Sequence, residues 1–158
     1  AVNIVDSINA QDIGKLPDQN VVDSLSRIPG VQITRNRGEG ANFTIRGISL
    51  NTTLINDRPF IGANSDASAR LDVLSADILA AIDVFKSPSA DQIEGALGGT
   101  VNLRTKRPLD LPINTIALRA QGEWGDLQRK LGFRGSALYS TRAADDRIGI
   151  LLNVAYQD

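Results

Sequence analysis

The chain of 158 residues contains no cysteine, no histidine and no methionine. Without thiols or imidazoles it has no disulfide, no thiolate or imidazole metal site, no cysteine nucleophile and no histidine-dependent triad. Aromatic residues make up only 4% of the chain, too few for a base-stacking surface. Seventeen basic against 18 acidic residues leave no net field to draw nucleic acid or an anionic membrane. No nucleic acid partner is therefore expected. No apolar run approaches the roughly 20 residues of a membrane helix, and no signal peptide is evident. The short alternating strands of a membrane barrel are not excluded by that. A start at Ala1 without methionine suits a mature fragment or a piece of a longer chain.

What is present is 42% hydrophobic and 22% charged, enough to bury a core. The pattern changes at Pro108-Leu109-Asp110-Leu111-Pro112, where two prolines suit an extended connector. Charge does not separate the halves, at −2 for residues 1–110 and +1 for 111–158. The first half reads as a small α+β unit. A strand is expected at Val2–Asp6, then a helical turn at Ala10–Ile13. Asp18 can cap a helix carrying Val21, Val22, Leu25 and Ile28, which Pro29-Gly30 ends. Strands follow at Val31–Arg35, Asn42–Ile48 and Thr53–Asn56. Then come a one-turn helix at Ala76–Leu79, a strand at Ala81–Lys86, a capping box at Ser89–Gln92 and a strand at Thr100–Thr105.

The second half alternates. Ile116, Leu118, Ala120, Gly122 and Trp124 share one face of a strand; Leu131, Phe133, Gly135, Ala137 and Tyr139 share one face of the next. Ile148, Ile150, Leu152, Val154 and Tyr156 do so in a third. Three strands of about ten residues with one apolar and one polar face match a transmembrane barrel. A soluble antiparallel meander shows the same alternation. The barrel reading places Trp124 and Tyr156 at one rim and Tyr139 near the other. Three strands cannot close, so the remainder of the barrel is expected beyond Asp158.

Five motifs then stand in order over residues 4–107. They are Ile8–Ile13 with Asn20–Leu25 and Arg27-Ile28-Pro29-Gly30-Val31; Phe43-Thr44-Ile45-Arg46-Gly47; Leu54-Ile55-Asn56-Asp57-Arg58-Pro59; Ala81–Ala90; and Gly98–Lys106. Together they resemble the plug domain of TonB-dependent outer-membrane receptors. The string Asp12–Asn20 is similar to the Xanthomonas- and Caulobacter-type branch, many of whose members import carbohydrates. The resemblance implies a plug at 1–108, a linker at 109–112 and the first three strands of an incomplete barrel at 113–158. It implies a gate for uptake of a large solute, with carbohydrate favoured over siderophore or vitamin, in the outer membrane of a Gram-negative bacterium. The implied partners are TonB, acting on a box upstream of Ala1, the remainder of the barrel, the solute and outer-membrane lipid. The competing expectation is a soluble periplasmic binding or signalling module on a plug-like fold.

Two departures from the family pattern stand out. Lys86-Ser87-Pro88 replaces Arg-Gly-Pro, and Asp57-Arg58 stands where Asp-Gly is usual. Plug arginines of the family meet barrel glutamates, which assigns a plug–barrel lock to Arg46 and Lys86. Arg46, read as mid-strand, needs a carboxylate partner, from the barrel or from Asp57, Asp72 or Asp83. The glycine-rich stretch Arg35–Gly40 and Pro59–Ser65 are the candidate solute-facing loops. Arg37, Asn42, Arg58 and Asn64 would supply hydrogen bonds there, and Phe60 a stacking face. Most other aspartates, Asp23 among them, sit at turns and helix starts as caps. Nothing singles out a catalytic pair, a metal site or a cofactor, so no enzyme is expected.

Overall fold

The structure is a computed structural model and describes residues 4–9, 20–36, 39–60, 71, 76–87, 95–125, 130–144 and 146–157. Two compact units divide the chain, Ala1–Thr105 and Lys106–Asp158.

In the first unit β1 (Val5–Asn9), β4 (Asn51–Ile55), β5 (Arg58–Pro59), β6 (Leu79–Phe85) and β7 (Gly99–Thr105) form one sheet in the order β1-β6-β7-β4-β5. β4 and β7 run parallel; the other neighbours are antiparallel. Alternation sorts the two faces. Ile8, Ile82, Leu103 and Ile55 form one apolar rung across four strands, and Val84, Val101 and Thr53 form the next. Ser7, Asp83, Asn102 and Leu54 lie on the opposite face. The first strand therefore begins later than the expected Val2–Asp6, in the register that puts Ile8 opposite Ile82. Ile82, Val84, Val101 and Leu103 are fully buried.

A separate hairpin of β2 (Val31–Asn36) and β3 (Glu39–Ile45) and the helix α1 (Val21–Leu25) complete the core. Asn20, not Asp18, caps α1: its Oδ1 accepts the Asp23 backbone N–H at 3.0 Å. A five-residue helix is too short to persist alone. It forms because Val21, Val22 and Leu25 are wholly buried with Val31 and Ile45. The one-turn helix expected at Ala76–Leu79 is a 3₁₀ turn, Ala76–Ile78, running straight into β6. Gly99 (φ +153°) has to be glycine, since a Cβ there would lie 2.6 Å from the Phe85 carbonyl oxygen. The expected Ala10–Ile13 turn and Ser89–Gln92 capping box lie outside the described residues.

In the second unit β8 (Thr115–Gly125), β9 (Lys130–Ala143) and β10 (Ile148–Gln157) form an antiparallel sheet in the order β10-β9-β8. Pro108–Asp110, read from sequence as part of an extended connector, is instead a 3₁₀ turn with proline at its start. Proline costs nothing there because that N–H has no partner within the turn. The turn lies against β9 and β10, and glycine at 149 admits it: a Cβ would stand 2.8 Å from Pro108 Cβ and Cγ. No helix among the described residues is long and apolar enough to cross a membrane.

Candidate functional site

Three places carry the sequence expectations: the β2–β3 hairpin, the turns at one end of the five-stranded sheet, and the open face of β8–β10.

The hairpin is amphipathic. Val31 pairs with Ile45 and Ile33 with Phe43 on its inner face, and all four pack in or against the core. Thr34 and Asn42, the next pair outward, are exposed, and the register shifts between Thr34 and Arg35. Arg35 reaches back to α1, with Nη1 2.8 Å from Asp23 Oδ1. Asp23 is buried, at 6% exposure, rather than a solvated cap as its sequence position suggested. Neither of its carboxylate oxygens receives an aligned hydrogen bond. No local signal marks this pair, because it joins a helix residue to a strand residue twelve positions on.

Of the expected solute contacts, Arg37 and Asn64 lie outside the described residues. Asn42 is exposed on the hairpin; Arg58 is exposed in β5, on a different sheet. Phe60 does not offer a free stacking face: it is half-buried and packs against the core, with its N–H donating to the Thr53 carbonyl at 2.9 Å.

The two lock residues differ from each other. Arg46 is not mid-strand. It lies in the turn after β3 at φ +53°, exposed, with its backbone N–H on the Gly30 carbonyl at 2.8 Å. Its guanidinium has no ion pair among the described residues, and exposure removes the cost that called for one. The carboxylates suggested for it are otherwise engaged or lie outside the described residues. Asp57 pairs with Asn102, Asp83 with Ser7 and Arg104, and Asp72 is not described. Lys86 has a partner inside its own unit, the Asp6 carboxylate of β1. Its side chain is only 10% exposed.

The hairpin turn that departs from Asp-Gly is resolved by register. Leu54 pairs with Pro59 and Ile55 with Arg58, so the two turn residues are Asn56 and Asp57 and Arg58 already belongs to β5. Both turn residues take positive φ, +50° and +65°. Asparagine and aspartate tolerate that region better than other non-glycine residues.

The face alternation read for β8–β10 is present in full register. Ile116 pairs with Tyr139 and Tyr139 with Leu152; Leu118, Ala137 and Val154 form the adjacent rung. Leu118 is 79% exposed and Val154 68%, whereas Leu138 and Ser140 on the other face are buried. A shallow open depression of about 400 Å³ crosses the apolar face at Gly135, between Phe133, Val154 and Tyr156. The register corrects one expectation. Tyr139 is opposite Leu152, only four residues from Tyr156, or roughly 14 Å along a strand. Tyr156 therefore lies midway along the sheet and not at a rim, whereas Trp124, opposite Leu131, is eight residues or roughly 27 Å from Tyr139, the spacing that girdles on either side of a band about 25 Å tall need. Among the described residues no cluster of acidic side chains is placed to hold a metal.

Comparison with known proteins accounts for this arrangement. The family described as "TonB-dependent Receptor Plug Domain" matches residues 1–100. The ferric enterobactin receptor PirA of Pseudomonas aeruginosa is 33% identical over 124 residues. That match takes in 67% of this chain and 17% of PirA. The crystal structure of the siderophore receptor PirA from Acinetobacter baumannii superposes with a TM-score of 0.74 at 24% identity, over 97% of this chain and 24% of that one. The pyoverdine outer membrane receptor FpvA from P. aeruginosa superposes with a TM-score of 0.80 at 20% identity, over the whole of this chain and 22% of that one. The chain thus spans about a fifth of the length of the proteins it resembles. With the family's match over residues 1–100, a mixed-sheet fold there and an antiparallel sheet C-terminal to it in the chain, the chain belongs to the TonB-dependent receptor plug family.

Proposed function

We propose that the chain is the gate, and the first stretch of wall, of an outer-membrane receptor that takes up a ferric siderophore with energy delivered by TonB. The observation that carries this reading is the sheet β8–β10 following a plug. Its one face exposes Ile116, Leu118, Phe133, Leu152 and Val154, as a lipid-facing barrel wall requires, whereas Leu138 and Ser140 on its other face are buried. A soluble module would leave Ile116, Leu118, Leu152 and Val154 in water, an exposed apolar patch of a kind soluble monomers rarely keep. The relatives named above are siderophore receptors, which turns the solute from the carbohydrate favoured by sequence toward a ferric chelate. In this reading solute meets the β2–β3 end of the plug. TonB, engaging the chain N-terminal to β1 from the periplasm, then shifts or partly unfolds the plug to open a path.

The test is iron uptake by a Gram-negative strain stripped of its own siderophore receptors and carrying the complete gene. Radiolabelled iron supplied as ferric enterobactin or ferripyoverdine should enter only with the gene and only with TonB intact. Uptake of neither chelate, with TonB-dependent accumulation of a labelled oligosaccharide, would return the solute to carbohydrate. A protein recovered monodisperse from the periplasm without detergent would overturn the receptor reading itself.

A further inference from the structure

We infer that the end of the second unit where the Pro108–Asp110 turn meets β9 and β10 is an oxyanion site that takes a phosphate group on Arg142 and Ser140, with Arg107 and Arg147 beside them. The site stands apart from the proposed function; only one source of the phosphate, a lipid of the outer membrane, rests on that reading.

Within this unit three buried side-chain atoms among the described residues have no hydrogen-bond partner: Ser140 Oγ, Arg142 Nε and Asn153 Nδ2. Each can donate. All three residues belong to the face opposite Leu118 and Val154, since Arg142 pairs with Gly149, Ser140 with Leu151 and Asn153 with Leu138. Asn153 is thus diagonal to Ser140 across the two strands, and Arg142 is two residues from Ser140 along β9. Ser140 is wholly buried. A buried donor left unmet is costly, and native proteins meet nearly all of them. Donors gathered on one face without an acceptor describe a place for a group that only accepts.

The charges say which acceptor. Arg142 Nη1 stands 3.4 Å from Asp146 Oδ2, longer than a charge-assisted hydrogen bond of about 2.8 Å, and the Asp146 side chain is 58% exposed. That loose contact leaves the buried Nε edge of the guanidinium without an acceptor, and a planar fork of this kind matches phosphate. Two more arginines meet at the same point, Gly149. Arg147 stands two residues before it, and Pro108, next to Arg107, lies 2.8 Å from where its Cβ would be. Arg107 and Arg147 are exposed, and neither makes an ion pair among the described residues. Three guanidinium groups about one glycine repel one another unless an anion stands among them. Asp110 and Asp146 are exposed, and Asp145 lies outside the described residues.

The depth of the site suits a lipid as well as a free anion. Arg142 is three residues, or roughly 10 Å, beyond Tyr139 toward the β9–β10 turn. With Tyr139 at one edge of the apolar band, that rung falls at headgroup level, where arginine attracts anionic lipid. A phosphate held there ties the Pro108–Asp110 turn to the β9–β10 turn.

The test uses the complete protein in detergent and phosphate-free buffer, with tryptic cleavage after Lys106 reading whether the turn is held. Rates are taken against a reference peptide in the same tube. Inorganic phosphate should slow cleavage by the factor 1 + [phosphate]/Kd, about threefold at twice Kd. Chloride at equal ionic strength should not. Ser140→Ala, which removes an unmet hydroxyl, should leave the phosphate-free rate unchanged and weaken phosphate by about tenfold. Arg142→Gln should abolish protection. In phosphate-free nanodiscs, slower cleavage in phosphatidylglycerol than in phosphatidylcholine, lost in Arg142→Gln, would make the headgroup a source. Equal rates in the two lipids, with protection by inorganic phosphate, would make the source a free anion. Protection by neither would overturn the site, leaving the donors to water or to the turn's own carboxylates. Equal protection by chloride, or undiminished protection in either variant, would overturn it too. A protein that does not enter nanodiscs would sink the outer-membrane reading and leave the phosphate titration to decide the site.

Discussion

Asn102 and Asp57 bind one another reciprocally: Asn102 Nδ2 donates to Asp57 Oδ1 at 2.7 Å, and the Asp57 N–H donates back to Asn102 Oδ1 at 3.1 Å. The neighbouring Asn56 repeats the device, its Nδ2 donating to Thr105 Oγ1 and its Oδ1 accepting the Thr105 N–H at 3.0 Å. Two adjacent turn residues with positive φ are thus clamped to β7. Asn102→Leu should lower stability by about 2 kcal/mol, because the amide has no substitute for a charged acceptor. Asp57→Gly should cost less, since glycine relieves the +65° backbone as it removes the pair. Denaturant midpoints of the two variants against the parent check the order.

The Lys86–Asp6 pair fastens the edge strand β1. Asp6→Asn leaves an ammonium that is 10% exposed without its counter-ion, while Asp6 itself is 40% exposed. The expected loss is about 1–2 kcal/mol, between surface and buried ion pairs. It should appear as faster amide exchange confined to Val5–Asn9. Unaltered exchange there would show that the backbone ladder alone holds β1.

Ala144, at the β9–β10 turn, has φ +54°. A Cβ in that region costs roughly 1 kcal/mol, so Ala144→Gly should stabilise the chain by up to that amount. A lowered melting temperature would contradict this.

Gly149→Val should drive the Pro108–Asp110 turn off the sheet, since the added Cβ meets Pro108 at 2.8 Å. The expected cost is about 1–3 kcal/mol, and the readout is faster tryptic cleavage after Lys106. Cleavage at the parent rate would mean that the turn yields without detaching.

Leu118, 79% exposed on the apolar face, distinguishes lipid from water as its surroundings. Leu118→Arg should destabilise folding into a bilayer by about 2–4 kcal/mol and lower outer-membrane abundance. In a soluble protein the same change would be close to neutral.

Local rules carried part of this molecule. The alternation from Ile116 to Tyr156 determined three strands and both of their faces, because a period of two needs no partner to be read. The stripe of Val21, Val22 and Leu25 likewise determined a helix, although it ends at Leu25 with Ser26 as its C-cap and not at Pro29-Gly30. The order of motifs from Ile8 to Lys106 identified the family. Where two residues far apart in sequence meet, the local rules ran out. Arg46 read as a mid-strand charge because Phe43–Ile45 is a strand; the turn back to Ile48 placed it in water instead. Phe60 read as a free ring because it follows a turn, yet the core takes it. Pro108 and Pro112 read as an extended connector until Gly149, 41 residues on from Pro108, offered the space for a turn. Asp23 looked like one cap among many, and only the contact of β2 with α1 made it a buried charge with Arg35 as counter-ion. Propensity and periodicity act over a few neighbours and belong to the sequence; burial, counter-ions and register depend on which distant segment arrives, and that the tertiary structure alone decides.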